Sequence, residues 1–189
     1  MVGMAHETTA RIAQEAALED ARWVQQVRLG DDKAVVALID RHRLRLVRVA
    51  TNILRSQTDA EDVAQDAFLR AFREIKSLRD DRAFAGYLYR IVVRLCMDKL
   101  RSRRPEVSEW DGVQPDEGVH VENRIVVRKL LDQLSPELRL TLVLREMEQL
   151  SYEEVADMMK VPVGTVRSRL HTARERFRDL WIKENKDAI

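Results

Sequence analysis

Four basic side chains, Arg167, His171, Arg174 and Arg178, recur at steps of three and four residues near the end of the chain. Helical winding gathers them into one stripe, a pattern suited to phosphates. On another face of the same segment Val166, Leu170, Ala173, Phe177 and Leu180 repeat at the same steps, an apolar stripe that needs a core to pack on. Just upstream, Ser151 and Glu154 have the S-x-x-E spacing of a capping box and open a short helix. Lys160, Val161 and Pro162 break that helix, and Pro162 is well placed to start the next. Residues 150–170 therefore read as a helix-turn-helix whose second helix is basic and polar at its N-terminus, as major-groove reading requires. The competing reading is an ordinary amphipathic helix with a solvated charged face.

A second group joins aromatics to cations: Phe84, Tyr87 and Tyr89 precede Arg90, Arg94 and Arg101. Unpaired bases stack on aromatic faces while cations follow the backbone, so Tyr87 and Tyr89 beside Arg90 and Arg94 suit single-stranded DNA. The same spacing fits aromatics in a core under a solvated basic face equally well. A third group, Asp59, Asp62, Gln65 and Asp66, makes an acidic surface near a helix start. The helix dipole explains part of it, and such a surface also invites a basic partner.

No catalytic constellation emerges. His6, His42, His120 and His171 are scattered, no Gly-rich phosphate loop is present, and Glu153 with Glu154 is explained by capping and solvation. His42 shares an apolar face without a metal-spaced partner, which marks it as a hydrogen-bonded core or boundary residue rather than a ligand. Cys96 is the single cysteine, excluding an intramolecular disulfide and a cysteine-based zinc site. Its neighbours Leu95 and Met97 make it a small buried hydrophobe. The expectation is a non-enzyme without metal or cofactor, at home in a reducing cytoplasm. No apolar stretch approaches a membrane span, and the first residues lack a signal-peptide core.

The elements that must position these groups are all helical, since period-two alternation is never sustained. Residues 6–28 form an Ala-rich helical segment presenting Trp23, Val24 and Val27, stopped by Gly30 and Asp31. Asp32 is the expected cap of a helix in which Leu38, His42, Leu46, Val49 and Ile53 share a face. Thr58 and Glu61 form a capping box opening the next, with Val63, Ala67, Ala71 and Ile75 in register. Residues 76–82 are a charged, non-periodic connector to a helix carrying Leu88, Ile91, Val92 and Leu95. After a break, residues 125–134 resume a helix, and Ser135 with Pro136 starts another bearing Leu140, Val143, Leu144 and Met147. Four helices thus precede the break and about four follow it.

The net charge of +1 conceals segregation. Bases outnumber acids by about two to one over residues 41–104, and by more over 160–183. Between them, residues 105–122 hold Glu106, Glu109, Asp111, Asp116, Glu117 and Glu122 with no Lys or Arg. Two basic blocks joined by an acidic, Pro- and Gly-containing linker suggest two separate contacts with a polyanion.

Three stretches, residues 59–68, residues 84–91 with Asp98 and Arg101, and residues 150–170, closely resemble bacterial sigma factors of the extracytoplasmic-function (ECF) group, in the same order and spacing. The resemblance spans roughly residues 23–180. It implies an all-α protein of two small helical domains, sigma region 2 (23–104) and a sigma region 4 helix-turn-helix (123–183), joined by the acidic linker 105–122. An N-terminal extension (1–22) and a tail (184–189) flank them. It implies that Asp62, Gln65, Asp66 and Leu69 dock on the clamp helices of the polymerase β′ subunit. Lys76, Ser77, Leu78 and Arg79 would belong to the loop capturing a flipped base of the −10 element, with Tyr87, Arg90, Arg94 and Arg101 lining the melted strand. Extruding that base costs a few kcal/mol, which the pocket must return. Pro162, Gly164, Thr165, Arg167, Ser168, Arg169 and His171 would enter the −35 groove, Arg167 or Arg169 reading a guanine edge and Arg174 and Arg178 holding phosphates.

Three positions depart from the pattern: Tyr87 stands for a common Trp, Arg94 for a common Asn, and Lys160 for a usual turn Gly. If the turn needs a positive φ, Lys160 carries strain that Gly would not. The implied partners are core RNA polymerase (β′ clamp helices and β flap), promoter DNA and an anti-sigma factor, the protein being cytoplasmic and held at a membrane only through that regulator. The alternative reading, a stand-alone helix-turn-helix regulator, expects tight duplex binding by a dimer on a palindromic site.

Overall fold

Gly30 ends the first helix. The computed structural model describes residues 2–102 and 121–186, and in it Gly30 adopts φ +89° while α1 (Val2–Arg28) closes in a Schellman pattern. Asp31 N–H donates to the Gln26 carbonyl and Gly30 N–H to that of Val27, both at 3.0 Å. The chain re-enters a helix at once. The cap of α2 (Asp32–Leu54) is Asp31 rather than the expected Asp32: its backbone is extended, and its carboxylate accepts from Lys33 N–H at 2.9 Å.

A similar shift occurs at α3 (Gln57–Arg73). Ser56, not Thr58, is the cap, accepting from Asp59 N–H at 3.2 Å, while Glu61 accepts from the Gln57 side chain at 2.7 Å. Arg55 turns the chain between α2 and α3 in the left-handed region, φ 65°, and this places Ser56 at the extended position a cap requires. The expected connector 76–82 is more ordered than its composition suggests. It is two short 3₁₀ turns, Ile75–Ser77 and Asp81–Ala83, leading into α4 (Phe84–Ser102).

The apolar faces meet as the periodicity requires. Leu38, Leu46, Val49 and Ile53 of α2, Val63, Ala67 and Ala71 of α3, Ile75, and Leu88, Val92 and Leu95 of α4 are buried together. Phe68, Phe72 and Phe84 stack in series, with ring centroids 5.9 and 6.3 Å apart. Val24 of α1 is fully buried here, with Trp23 and Val27 half-buried beside it. The boundary drawn at residue 23 falls inside α1, and Asp20, upstream of it, is itself buried. Its carboxylate lies 3.0 Å from Arg41 and 3.1 Å from His42. His42 is thus a boundary residue with a polar partner. Cys96 is buried, and that burial pushes its thiol up to about 12, so it stays protonated and inert at neutral pH.

The second domain comprises α5 (Val121–Asp132), α6 (Pro136–Leu142), α7 (Tyr152–Met159) and α8 (Val163–Lys186). Most of the acidic linker lies outside the described residues, its last two residues opening α5; of the tail, 187–189 lie outside and the rest ends α8. Pro136 starts α6 as expected, but Ser135 makes no side-chain cap bond. The single helix expected from Pro136 to Met147 changes its winding: Val143–Met147 is a π turn. The wider turn keeps Val143 and Leu144 in the core and turns Met147 outward. Val155, Met159, Val166, Leu170 and Ala173 complete that core.

The two domains touch. Arg55 of α2 pairs with Asp132 of α5 at 2.7 Å, and Arg45 donates to Glu148, just past the π turn, at 3.1 Å. Burial raises the carboxyl of Asp132 above the ordinary range, opposed by the charges of Arg55 and Arg139. Asn52 approaches the Met147 sulfur at 3.8 Å, which explains where the displaced side chain goes.

Candidate nucleic-acid interface

Asp62, Gln65, Asp66 and Leu69 fall at i, i+3, i+4 and i+7 of α3, and all four are exposed on one face. Leu69 is 54% exposed among these polar neighbours. Asp59, by contrast, is half-buried and ion-paired to Lys99 of α4, so it ties two helices together; Lys99 reaches Asp62 only at 3.6 Å. The acidic surface therefore divides into an internal tie and an outward face with an apolar centre.

The loop after α3 leaves Lys76, Ser77 and Arg79 exposed and Leu78 half-buried. Its inner side is held by Arg28 of α1. The guanidinium donates to the Ile75 carbonyl at 3.0 and 3.1 Å and to the Leu78 carbonyl at 2.6 Å, and pairs with Asp81 at 2.8 Å. At the loop's far end Asp80 caps its second turn through Arg82 N–H at 3.0 Å, and that bond holds its carboxyl below the ordinary range.

Tyr87, Arg90 and Arg94 lie along one face of α4 beside Ile91 and opposite Arg70 of α3 and Glu74, which caps that helix. They line a cleft of about 330 Å³ whose other wall is Asp157 and Lys160 of the helix-turn-helix. Tyr87 donates its hydroxyl to Glu74; partial burial and that carboxylate push the phenol up to about 12. The ring is thereby fixed in orientation. Tyr89 does not join it. Only 6% exposed, it faces the other way, under Arg45 and near Glu148, with its hydroxyl buried and unbonded. Two residues apart on a helix means nearly opposite faces, and the core takes one of them. Arg101, two turns beyond Arg94, is exposed at the edge of a second cleft of about 270 Å³.

In the helix-turn-helix both bonds of the capping box form, Glu154 N–H to Ser151 Oγ at 3.1 Å and Ser151 N–H to the Glu154 carboxylate at 2.7 Å. Lys160 occupies the left-handed region at φ 54°, its ammonium 2.8 Å from Asp157. The turn does demand a positive φ. Pro162 stands just before α8 and its carbonyl accepts from Thr165 and Val166. A Cβ on Gly164 would meet nothing within 4 Å, so nothing inside this fold asks for glycine there, as expected where an outside surface comes close. Arg167, His171, Arg174 and Arg178 share one exposed face, with Ser168 and Gly164 exposed and Thr165 half-buried. Tyr152 carries Arg145 at 5.1 Å and Arg167 at 5.7 Å over its ring, and Arg174 pairs with Glu146, which raises its already high basicity. Arg169 leaves this group and lines the 270 Å³ cleft against α4.

Comparison with known proteins agrees with this layout. Residues 38–106 match Sigma-70 region 2, and residues 124–177 match Sigma-70, region 4. The sigma-H factor of Pseudomonas aeruginosa is 35% identical over 83% of this chain and 91% of its own length. The ECF sigma-E factor of Escherichia coli K12 is 36% identical over 84% of this chain and 92% of its own. The chain belongs to the ECF sigma factors. As a sigma factor it is a subunit that binds core RNA polymerase and promoter DNA and confers promoter specificity, not an enzyme. Solved sigma factors share its fold. The structure of CnrH with the cytosolic domain of CnrY covers 87% of this chain and 97% of that one, at 26% identity and a TM-score of 0.63. RpoE of Bartonella quintana, solved with the anti-sigma factor NepR, covers 77% and 94% at 21% identity and 0.62.

Two features of the sigma factor escaped the sequence reading. Arg28 has two of its three loop partners 47 and 50 residues away, and both of these are main-chain carbonyls, which leave no trace in side-chain spacing. The Arg45–Glu148 contact joins residues 103 apart across the two domains, again beyond any periodic signal.

Proposed function

We propose that this sigma factor divides its work among the three surfaces just described. The outward face of α3, with Asp62, Gln65 and Asp66 around Leu69, docks on a basic helical surface of the core enzyme, the β′ clamp helices. The loop residues Lys76, Ser77, Leu78 and Arg79 capture an unstacked base of the −10 element, and Tyr87, Arg90, Arg94 and Arg101 follow the strand beside it. Arg167 reads a base edge of the −35 element, with Arg174 and Arg178 on phosphates and the open approach at Gly164 admitting the DNA backbone. The observation that carries this reading is the separation of one acid-and-leucine face from two cationic faces on different domains.

An anti-sigma factor controls the protein in this reading, as in the solved RpoE–NepR pair. The cytoplasm is its place, because core polymerase works there; among the described residues no helix is long and apolar enough to cross a membrane. Run-off transcription tests the proposal. Purified protein added to core polymerase should co-elute with it and start transcripts on matched promoter templates. Failure of both, with tight duplex binding by a dimer instead, would establish the stand-alone regulator.

A further inference from the structure

Arg28 lies outside the residues that match Sigma-70 region 2, yet its side chain organises the loop on which −10 recognition depends. Leu78 closes the short 3₁₀ turn by donating its N–H to the Ile75 carbonyl at a long 3.4 Å, and its own carbonyl, left at the turn's end, needs a donor from elsewhere. The Arg28 guanidinium supplies that donor, adds two shorter bonds to the Ile75 carbonyl and also pairs with Asp81, fastening acceptors spread over seven residues of the loop to the end of α1. Gln25, one turn earlier on the same helix face, adds a bond to the other oxygen of Asp81 at 3.3 Å. Arg28 itself is held in place, since the Gly30 turn begins two residues later. The Arg28 bonds to the two carbonyls are partly buried, while Lys76, Ser77 and Arg79 stay exposed.

We propose that Arg28 is a positioning residue for −10 recognition: its three-way clamp fixes the loop in the form that receives the flipped base. The inference rests on the reading of residues 76–79 as the base-capturing loop. A loop that is already ordered does not lose conformational entropy when the base arrives, so more of the contact energy remains for the unstacking and for telling one base from another. Only arginine suits the position. Its planar fork serves several acceptors at fixed angles, whereas a lysine ammonium offers a compact charge on a flexible stem.

The test is transcription by core polymerase from a promoter pool randomised over the −35 and −10 elements, with the transcribed templates sequenced for the wild-type chain, Arg28→Lys, Arg28→Gln and Asp81→Asn. The preference at one −10 position should flatten by about tenfold in both Arg28 variants, and by less in Asp81→Asn, while the −35 preference is unchanged. That unchanged −35 preference shows the chain is folded and bound to core. Equal loss at both elements, or a −10 preference kept in every clamp variant, would overturn the proposal. Ser77→Ala and Arg79→Ala locate the fault: if they flatten the −10 preference and the clamp variants do not, the loop reading stands and the clamp fails. If neither set does, the loop reading fails, and the clamp proposal with it.

Discussion

Lys160 shows how a single backbone angle can be read from sequence and then measured. A non-glycine residue at φ 54° crowds its own Cβ against the carbonyl, at a cost of roughly 1 kcal/mol. The compensation visible here is an ion pair with Asp157, but both side chains are well exposed and screened by solvent. Lys160→Gly should therefore raise stability by up to about 1 kcal/mol, read as a higher denaturant midpoint with an unchanged slope. A lower midpoint would mean that the turn draws more from the lysine than its geometry reveals. Side chains were legible in the sequence where their partners were periodic or local: the Ser151 and Glu154 box, the buried Cys96, the gathering of Arg167, His171, Arg174 and Arg178. They were not legible where the partner was main chain or another domain. Arg28 is the clearest case, and Tyr89 the converse, an aromatic whose place beside Arg90 suggested DNA until packing against Arg45 and near Glu148 claimed it.

Helix existence followed from apolar spacing, but helix starts depended on turns that the spacing does not encode. The left-handed Arg55 moves the cap of α3 to Ser56, and the Schellman turn at Gly30 moves that of α2 to Asp31. Ser56→Ala should cost about 1 kcal/mol by leaving the Asp59 amide without its acceptor, whereas Thr58→Ala should be near neutral, since Thr58 is already inside the helix and exposed. Thermal unfolding of both variants decides it; the reverse order would restore Thr58 as the cap. The π turn after α6 is an element-scale feature that hydrophobic periodicity misses. Val143 and Leu144 suit an α-helix as well as a π turn, and only the outward Met147, against Asn52, distinguishes the two.

At the scale of the molecule the two domains are closed on each other. The cleft facing Tyr87, Arg90 and Arg94 is moreover walled by Asp157 and Lys160 of the helix-turn-helix. In the proposed reading the domains part when promoter DNA enters that cleft, and polar contacts through Arg45–Glu148 and Arg55–Asp132 help hold them together until then. Glu148→Ala leaves Arg45 without its carboxylate at the interface, so the closed form should lose population. Small-angle scattering or a distance label on each domain should report a more extended particle than wild type, with the difference shrinking as salt opens both. An unchanged distance distribution would show that apolar contact alone keeps the domains closed. The segregated charge suggested two separate contacts with a polyanion and the family resemblance implied two domains; their closed arrangement did not follow from composition, because it rests on contacts between residues far apart in the chain.

In the proposed function polymerase and DNA are bound by different faces of one chain, and a paired affinity measurement separates the two. Core affinity and −35 duplex affinity are determined for the wild-type chain, for Asp62→Ala with Gln65→Ala, and for Arg167→Ala. The α3 variant should lose core binding and keep its duplex affinity, while Arg167→Ala should keep core binding and weaken −35 recognition by about 1–3 kcal/mol, which is five- to 150-fold. Loss of duplex affinity in the α3 variant together with loss of core binding in Arg167→Ala would contradict the account.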